Sequence, residues 1–194
     1  MAKIRSAWEI ALEKTQDIQI DKDRLQREEN INRARRLAGS YLNYDEDMDE
    51  TRLSEEYSKI ASLDGAREGI RATILQNLTL PSQEVLADRY ERIRTLCSLI
   101  SDNPMADQLM TQIVGFLKQY PEHQKQLVDQ LKERFQPMMQ DKAEKLRQQY
   151  GQDVPVSIER DPEFLKLAQQ QLDAMRGQYE QMLGEAKARL EAML

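Results

Sequence analysis

The chain has 194 residues, of which 40% are hydrophobic, 6% aromatic and 32% charged, and its net charge is −6. That balance is short of bulky core residues and rich in solvated faces, which favours long helices over a sheet-built globule. It also argues against nucleic acid as the main partner, because neutralising phosphates needs a basic surface. One cysteine, Cys97, excludes an internal disulfide framework and a cysteine-built zinc cluster and fits a reducing compartment.

The charge is unevenly spread. Residues 45–69 hold nine acidic and three basic side chains, a local balance of −6, while residues 1–44 stand at +2, 70–120 at zero and 121–194 at −2. No apolar run reaches the length of a membrane span, and Lys3 and Arg5 are followed by alternating charged and apolar residues rather than a signal-like core. The expected setting is the cytoplasm.

In chain order, Ser6 and Glu9 form a capping box that opens a short helix to about Gln16, carrying Trp8, Ala11 and Leu12. Trp8, the sole tryptophan, is expected to pack on the body of the same chain. A second helix is predicted from Asp21 to about Tyr44, with Leu25, Ile31, Ala34, Leu37, Ala38, Tyr41 and Leu42 as a sparse stripe. Its middle concentrates Arg24, Arg27, Arg33, Arg35 and Arg36, a conceivable strip for phosphates. Interleaved Asp21, Glu28 and Glu29, and the lack of aromatics to stack bases, favour a solvated face instead.

Tyr44 to Glu50 is an acidic hinge. Counting Asp45 as the first position of a calcium loop puts Asp47, Asp49 and Glu56 at oxygen-ligand positions. Glu50 stands where the sharp turn needs glycine and Arg52 where an apolar residue is usual, so the preferred reading is a linker leading into an acidic first helical turn.

A helix from Glu50 to about Leu63 should end before Asp64-Gly65, and another from Ala66 carries Ile70, Thr73, Ile74 and Leu78 before Leu80-Pro81 closes it. Ser82 begins the next, with Val85, Leu86, Tyr90, Ile93, Leu96, Cys97 and Ile100 in register, so the stretch from Ile70 to Ile100 is the expected core. Cys97 lies within this stripe as a small core side chain. The only histidine, His123, follows Pro121 as an expected exposed residue, so no Cys–His pair is read as catalytic, and no glycine-rich phosphate loop is present.

Asn103-Pro104 starts a helix with Leu109, Ile113, Phe116, Leu117 and Tyr120, and Tyr120-Pro121-Glu122 is expected to break or restart it. From Glu122 to Tyr150 the apolar positions include Val128, Leu131, Phe135, Met138, Met139, Ala143 and Leu146, with a stutter at Pro137 where a kink or local break is predicted. Gly151 can stop this helix. Val154, Val156 and Ile158 then alternate in the connection, as a plug folded back on the helices or, failing that, a partner contact.

Asp161-Pro162-Glu163 marks the start of the last helix with a cap, a first-turn proline and an acid facing the dipole. Alternating steps of three and four connect Leu165, Ala168, Leu172, Met175, Tyr179, Met182 and Ala186, a coiled-coil seam that fails at Arg189. Its end, near Leu190, Met193 and Leu194, is therefore read as a splayed, adaptable surface. The short connection makes the two long helices antiparallel.

Four stretches resemble an uncharacterised family of bacterial proteins of similar length: Ala7 to Thr15, Leu37-Ala38-Gly39, Ile74 to Pro81, and Asp161 to Phe164. The resemblance implies one unit spanning nearly the whole chain in a bacterial cytoplasm, and it assigns no activity, ligand or site.

The expected fold is all-α: N-terminal helices and acidic hinge at 1–49, a helical bundle body at 50–120, and a long antiparallel, coiled-coil-like helical hairpin at 121–194. The expected role is that of a non-enzymatic interaction or scaffold protein, without cofactor, acting on a protein partner or on further copies of itself. Met138, Met139, Val154, Val156, Ile158, Met182, Leu190 and Met193 are the candidate contacts. A nucleic-acid regulator using the strip from Arg24 to Arg36, and a metal-binding protein using Asp45, Asp47, Asp49 and Glu56, are the alternatives.

Overall fold

The computed structural model describes the backbone over residues 7–81, 88–152 and 156–194, and side chains within those ranges from residue 21 onward. Among the described residues every regular element is helical. The order is α1 (Ala7–Leu42), α2 (Glu50–Ser58), α3 (Ala66–Asn77), α4 (Arg89–Ile100), α5 (Pro104–Tyr150), a 3₁₀ turn (Ile158–Arg160) and α6 (Pro162–Met193). The two expected N-terminal helices are one. The intervening Asp17-Ile18-Gln19-Ile20 contains neither glycine nor proline, so nothing in it stops propagation. The packing expected for Trp8, and the Ser82, Val85 and Leu86 start of the fourth helix, lie outside the described side chains and residues.

The chain divides into two compact units. The first comprises Met1–Leu78, Leu86–Met110 and Leu190–Leu194, and the second Thr79–Val85 and Thr111–Arg189.

The first unit is built on the contact of α1 with α3. Small residues line both helices there: Ala34 and Ala38 on α1, Ala66 and Gly69 on α3, all buried. An ideal Cβ on Gly69 would stand 2.4 Å from the Ile31 carbonyl oxygen and 2.8 Å from the Ala34 Cβ, so the two backbones pass too closely for any other residue. Around this seam Ile70, Ile74, Ile93 and Leu96 are fully buried, each side chain contributing about 1.5–3 kcal/mol of transfer free energy. Gly65 precedes α3 with φ of +86°, a left-handed conformation that also explains why the chain turns at Asp64-Gly65.

Polar side chains fix the ends of these helices. Tyr44 takes φ of +60° as the left-handed residue of a Schellman turn closing α1, with Tyr44 N–H donating to Tyr41 and Asp45 N–H to Ser40. A tyrosine there is strained, and its side chain offsets the strain. The Arg92 guanidinium lies 4.0 Å from the Tyr44 ring centre and 4.8 Å from that of Tyr41, and the Tyr44 hydroxyl donates to Asp88. Asp49 caps α2 by accepting from the Arg52 N–H at 2.8 Å.

In the second unit α6 returns along α5. Phe135 meets Phe164 edge to face at 5.5 Å, and Tyr120 and Phe116 meet Tyr179, so residue numbers rise on one helix as they fall on the other. Leu131, Phe135, Met139, Phe164 and Ala168 form the buried cluster, with Val156 and Ile158 packed against it. The seam of α6 differs from the expected one. Its inward positions are Phe164, Ala168, Leu172, Met175, Tyr179, Leu183 and Ala186, in steps of four, four and three, while Leu165 and Met182 stand outside it at 51% and 56% exposure. Eleven residues per repeat is about 3.67 per turn, near the helix's own period, so these helices stay paired without the left-handed winding a heptad seam demands.

α5 runs through Pro121 without the expected break and through Pro137 without interruption. Leu117, Tyr120, Gln124, Val128 and Leu131 keep one face across Pro121, and that continuous packing outweighs the roughly 3 kcal/mol cost of an interior proline.

Asp161 pins the start of α6. Its buried carboxylate accepts from the Glu163 and Phe164 N–H groups and from Lys142 Nζ on α5. The Lys142 bond, then the two N–H groups, hold the Asp161 carboxyl below its usual 3.8 against an opposing effect of burial, while the same bond raises Lys142. The carboxylate's contribution is therefore present above about pH 4 and lost as pH falls through its folded value; the ammonium's is present below about pH 10 and lost as pH rises through its own. Asp161→Asn keeps the cap and loses the charge pair, whereas Asp161→Ala loses both and should lower Tm by about 2–5 °C at neutral pH. The smaller gap between wild type and Asp161→Asn should close in acid and in strong base. A gap independent of pH in thermal melts would show that the pair contributes nothing.

Candidate functional site

The structure disperses most of the sequence candidates. Among the described residues no three His, Cys, Asp or Glu side chains are gathered to hold a metal ion. Asp49 is spent as the α2 cap, Asp47 lies 3.9 Å from Arg52, Glu56 is paired with Lys59, and Asp45 is exposed. On α1, Arg24 pairs with Asp21, and Arg27 pairs with both Asp64 and Glu68. Arg33, Arg35 and Arg36 are exposed on the same helix. Cys97 is buried, and loss of hydration, reinforced by Asp107, pushes its thiol up to about 11, so it carries no thiolate at neutral pH.

The expected partner contacts divide likewise. Met138 and Met182 are exposed, at 49% and 56%. Met139 is buried against Phe135 and Phe164, and Val156 and Ile158 cover that cluster as the plug reading anticipated, each remaining half-buried. Val154 lies outside the described residues. Leu190 is fully buried and Leu194 nearly so, with Met193 half-buried. The splayed end is corrected by the register: in steps of four, four and three, Leu190 and Leu194 continue the inward face and Arg189 never belonged to it.

What sequence spacing could not assemble is a polar cleft in the second unit, with a volume of about 310 Å³. Leu80 and Pro81 form one wall, with Leu172 as the apolar residue on α6. Tyr120 and Gln124 enter from α5, and Gln169, Asp173 and Arg176 from α6. Helical spacing creates the internal bonds. Gln124 Nε2 donates to the Tyr120 hydroxyl at 3.1 Å, Gln169 Nε2 donates to both Asp173 oxygens at 3.0 Å, and Arg176 Nε donates to Glu180 at 2.8 Å, each four residues apart. Behind the cleft, Tyr179 stacks on Phe116 at 4.5 Å and is tilted on Tyr120 at 4.9 Å, with its hydroxyl in contact with His123 Nδ1. This aromatic block fixes the Tyr120 ring and hence the position of its hydroxyl. Single glutamines on a helix face read as solvated residues in a sequence, so no local pattern announced the cleft.

Fold and site together define an all-helical protein with a small polar recess between two long antiparallel helices of its second unit. Residues 54–192 match the model of DUF6657, a family of unknown function, and the chain belongs to that family. The match contains every residue of the cleft but begins after the stretches around Trp8 and Leu37. No curated protein and no solved structure matches the chain.

Proposed function

We propose that this chain is a non-enzymatic helical interaction protein, acting through contacts of its second unit with a partner protein or with further copies of itself. The observation that supports the reading is the exposure of Met138, Leu165 and Met182, large apolar side chains left on solvent beside a seam already filled by Phe164 and Leu183. Methionine in particular adapts to irregular partner surfaces. A reducing compartment such as the cytoplasm suits the single buried thiol.

The test pairs light scattering over a concentration series with cross-linking in lysate, using the full chain and the variant Met138→Ser, Leu165→Ser, Met182→Ser. Wild type should exceed the monomer mass or capture a protein that the variant does not. A strictly monomeric wild type that captures nothing the variant loses overturns the reading. A nucleic-acid contact through Arg33, Arg35 and Arg36 ranks second, since these three are exposed while Arg24 and Arg27 are ion-paired. Failure to bind generic RNA and DNA at low salt removes it.

A further inference from the structure

The internal bonds of the cleft decide what its surface offers. Gln124 and Gln169 each turn the amide nitrogen toward an internal acceptor, which leaves both Oε1 atoms, and one N–H of Gln124, for a ligand. The Asp173 carboxylate receives a single shared N–H2 and retains most of its lone pairs. Tyr120 oxygen accepts from Gln124 and still has a lone pair. The one cation of the lining, Arg176, has its Nε on Glu180, which stands outside the lining, and is attracted more weakly by Asp173, so Glu180 rather than Asp173 takes most of its charge. The lining also holds Leu80, Pro81 and Leu172, apolar side chains for a hydrocarbon stem. The volume of about 310 Å³ is at the small end of ligand sites and suits one side chain rather than a cofactor.

We infer that this cleft receives a basic side chain, a guanidinium or ammonium on an aliphatic stem, with the stem against Leu80, Pro81 and Leu172 and the cationic head between Asp173 and the Gln124 and Gln169 oxygens. A guanidinium is the better fit, because its planar fan of N–H donors can reach several fixed acceptors at once. The stem removes apolar wall from water while the head keeps its hydrogen bonds, the division that lets long basic residues bury. The inference rests on the interaction reading above and names the chemistry of the partner residue: an arginine, or second a lysine, displayed on the partner's surface.

Titration calorimetry on the full chain at low salt tests it, with N-acetyl-L-arginine amide as the probe and N-acetyl-L-citrulline amide as its neutral counterpart of nearly the same shape. Arginine amide should bind at least about tenfold more tightly than citrulline amide, because only the cation satisfies the carboxylate. Asp173→Asn should reduce arginine-amide affinity by about tenfold or more, and Arg176→Gln should raise it. A blocked Ala-Arg-Ala peptide that binds more tightly than arginine amide places the side chain on a protein; preference for free L-arginine points to a small molecule of the same chemistry. Equal binding of arginine and citrulline amides, or no binding of either up to about 10 mM, overturns the proposal. The citrulline comparison uses wild type alone, so it holds whatever the variants do to folding. A failed titration leaves the exposed Met138, Leu165 and Met182 side chains untouched, and a partner lost through them leaves the cleft untouched, so the two readings fail separately.

Discussion

Gly69→Ala should destabilise the first unit by about 2 kcal/mol, against the usual sign for a glycine inside a helix. At an open helical position alanine gains roughly 0.5–1 kcal/mol over glycine through lower backbone entropy in the unfolded chain. At Gly69 the added carbon meets the Ile31 carbonyl oxygen at 2.4 Å and the Ala34 Cβ at 2.8 Å. Neither neighbour is the far end of a flexible side chain. Relief requires α1 and α3 to separate, which loosens Ala34, Ala38, Ile70 and Ile74 together. Overpacking of this kind costs about 1–3 kcal/mol, and the rigidity of both neighbours places it high in that range. Thermal melts followed by far-UV circular dichroism should show Tm lower by about 4–8 °C. Gly177→Ala supplies the opposite sign, since nothing lies within 4 Å of its Cβ position and the residue is exposed in the middle of α6. If Gly69→Ala melts with wild type, the close approach of α1 and α3 is wrong.

Much of the fold was legible wherever a punctuating residue does one local job. Asp64-Gly65 marked the turn before α3, Gly151 the stop after α5 and Asp161-Pro162-Glu163 the start of α6, because a left-handed glycine or a capping carboxylate acts within a few residues of itself. The prolines were read too strongly. A residue's local cost does not reveal the packing of the stripe to either side, and in α5 that packing keeps the helix whole across Pro121. The register of α6 was missed for another reason. Leu165 and Met182 fit a heptad as well as Phe164 and Leu183 fit an eleven-residue repeat, and only the longer count, carried on to Leu190 and Leu194, keeps every inward position apolar. The cleft was beyond sequence reading altogether. It joins Leu80 and Pro81 to side chains some forty and ninety residues onward, and the glutamines that shape it acquire meaning only once their nitrogens are turned inward.

Pro137→Ala should raise the stability of the second unit by about 1–3 kcal/mol, recovering much of what an interior proline costs. The proline supplies no N–H to the Glu133 carbonyl, and its ring crowds that same carbonyl. Its side chain is exposed, so replacement removes little packing. The gain would appear as a rise in Tm of about 3–8 °C and as slower amide exchange through the turn around residue 137. The seam gives the experiment a second edge. Phe135, Met139 and Ala143 follow one another at steps of four where the surrounding pattern would take a three after Met139, which is the advance an opened turn produces. If the proline creates that opening, Met139 owes its place beside Phe135 and Phe164 to it, and alanine would tighten the turn and rotate the rest of α5 off the seam. Higher Tm with Met139 still protected assigns the register to packing and makes Pro137 a cost the helix bears. Lower Tm with faster exchange around Met139 reverses the assignment: the ring that weakens the helix would then be what aligns it with α6.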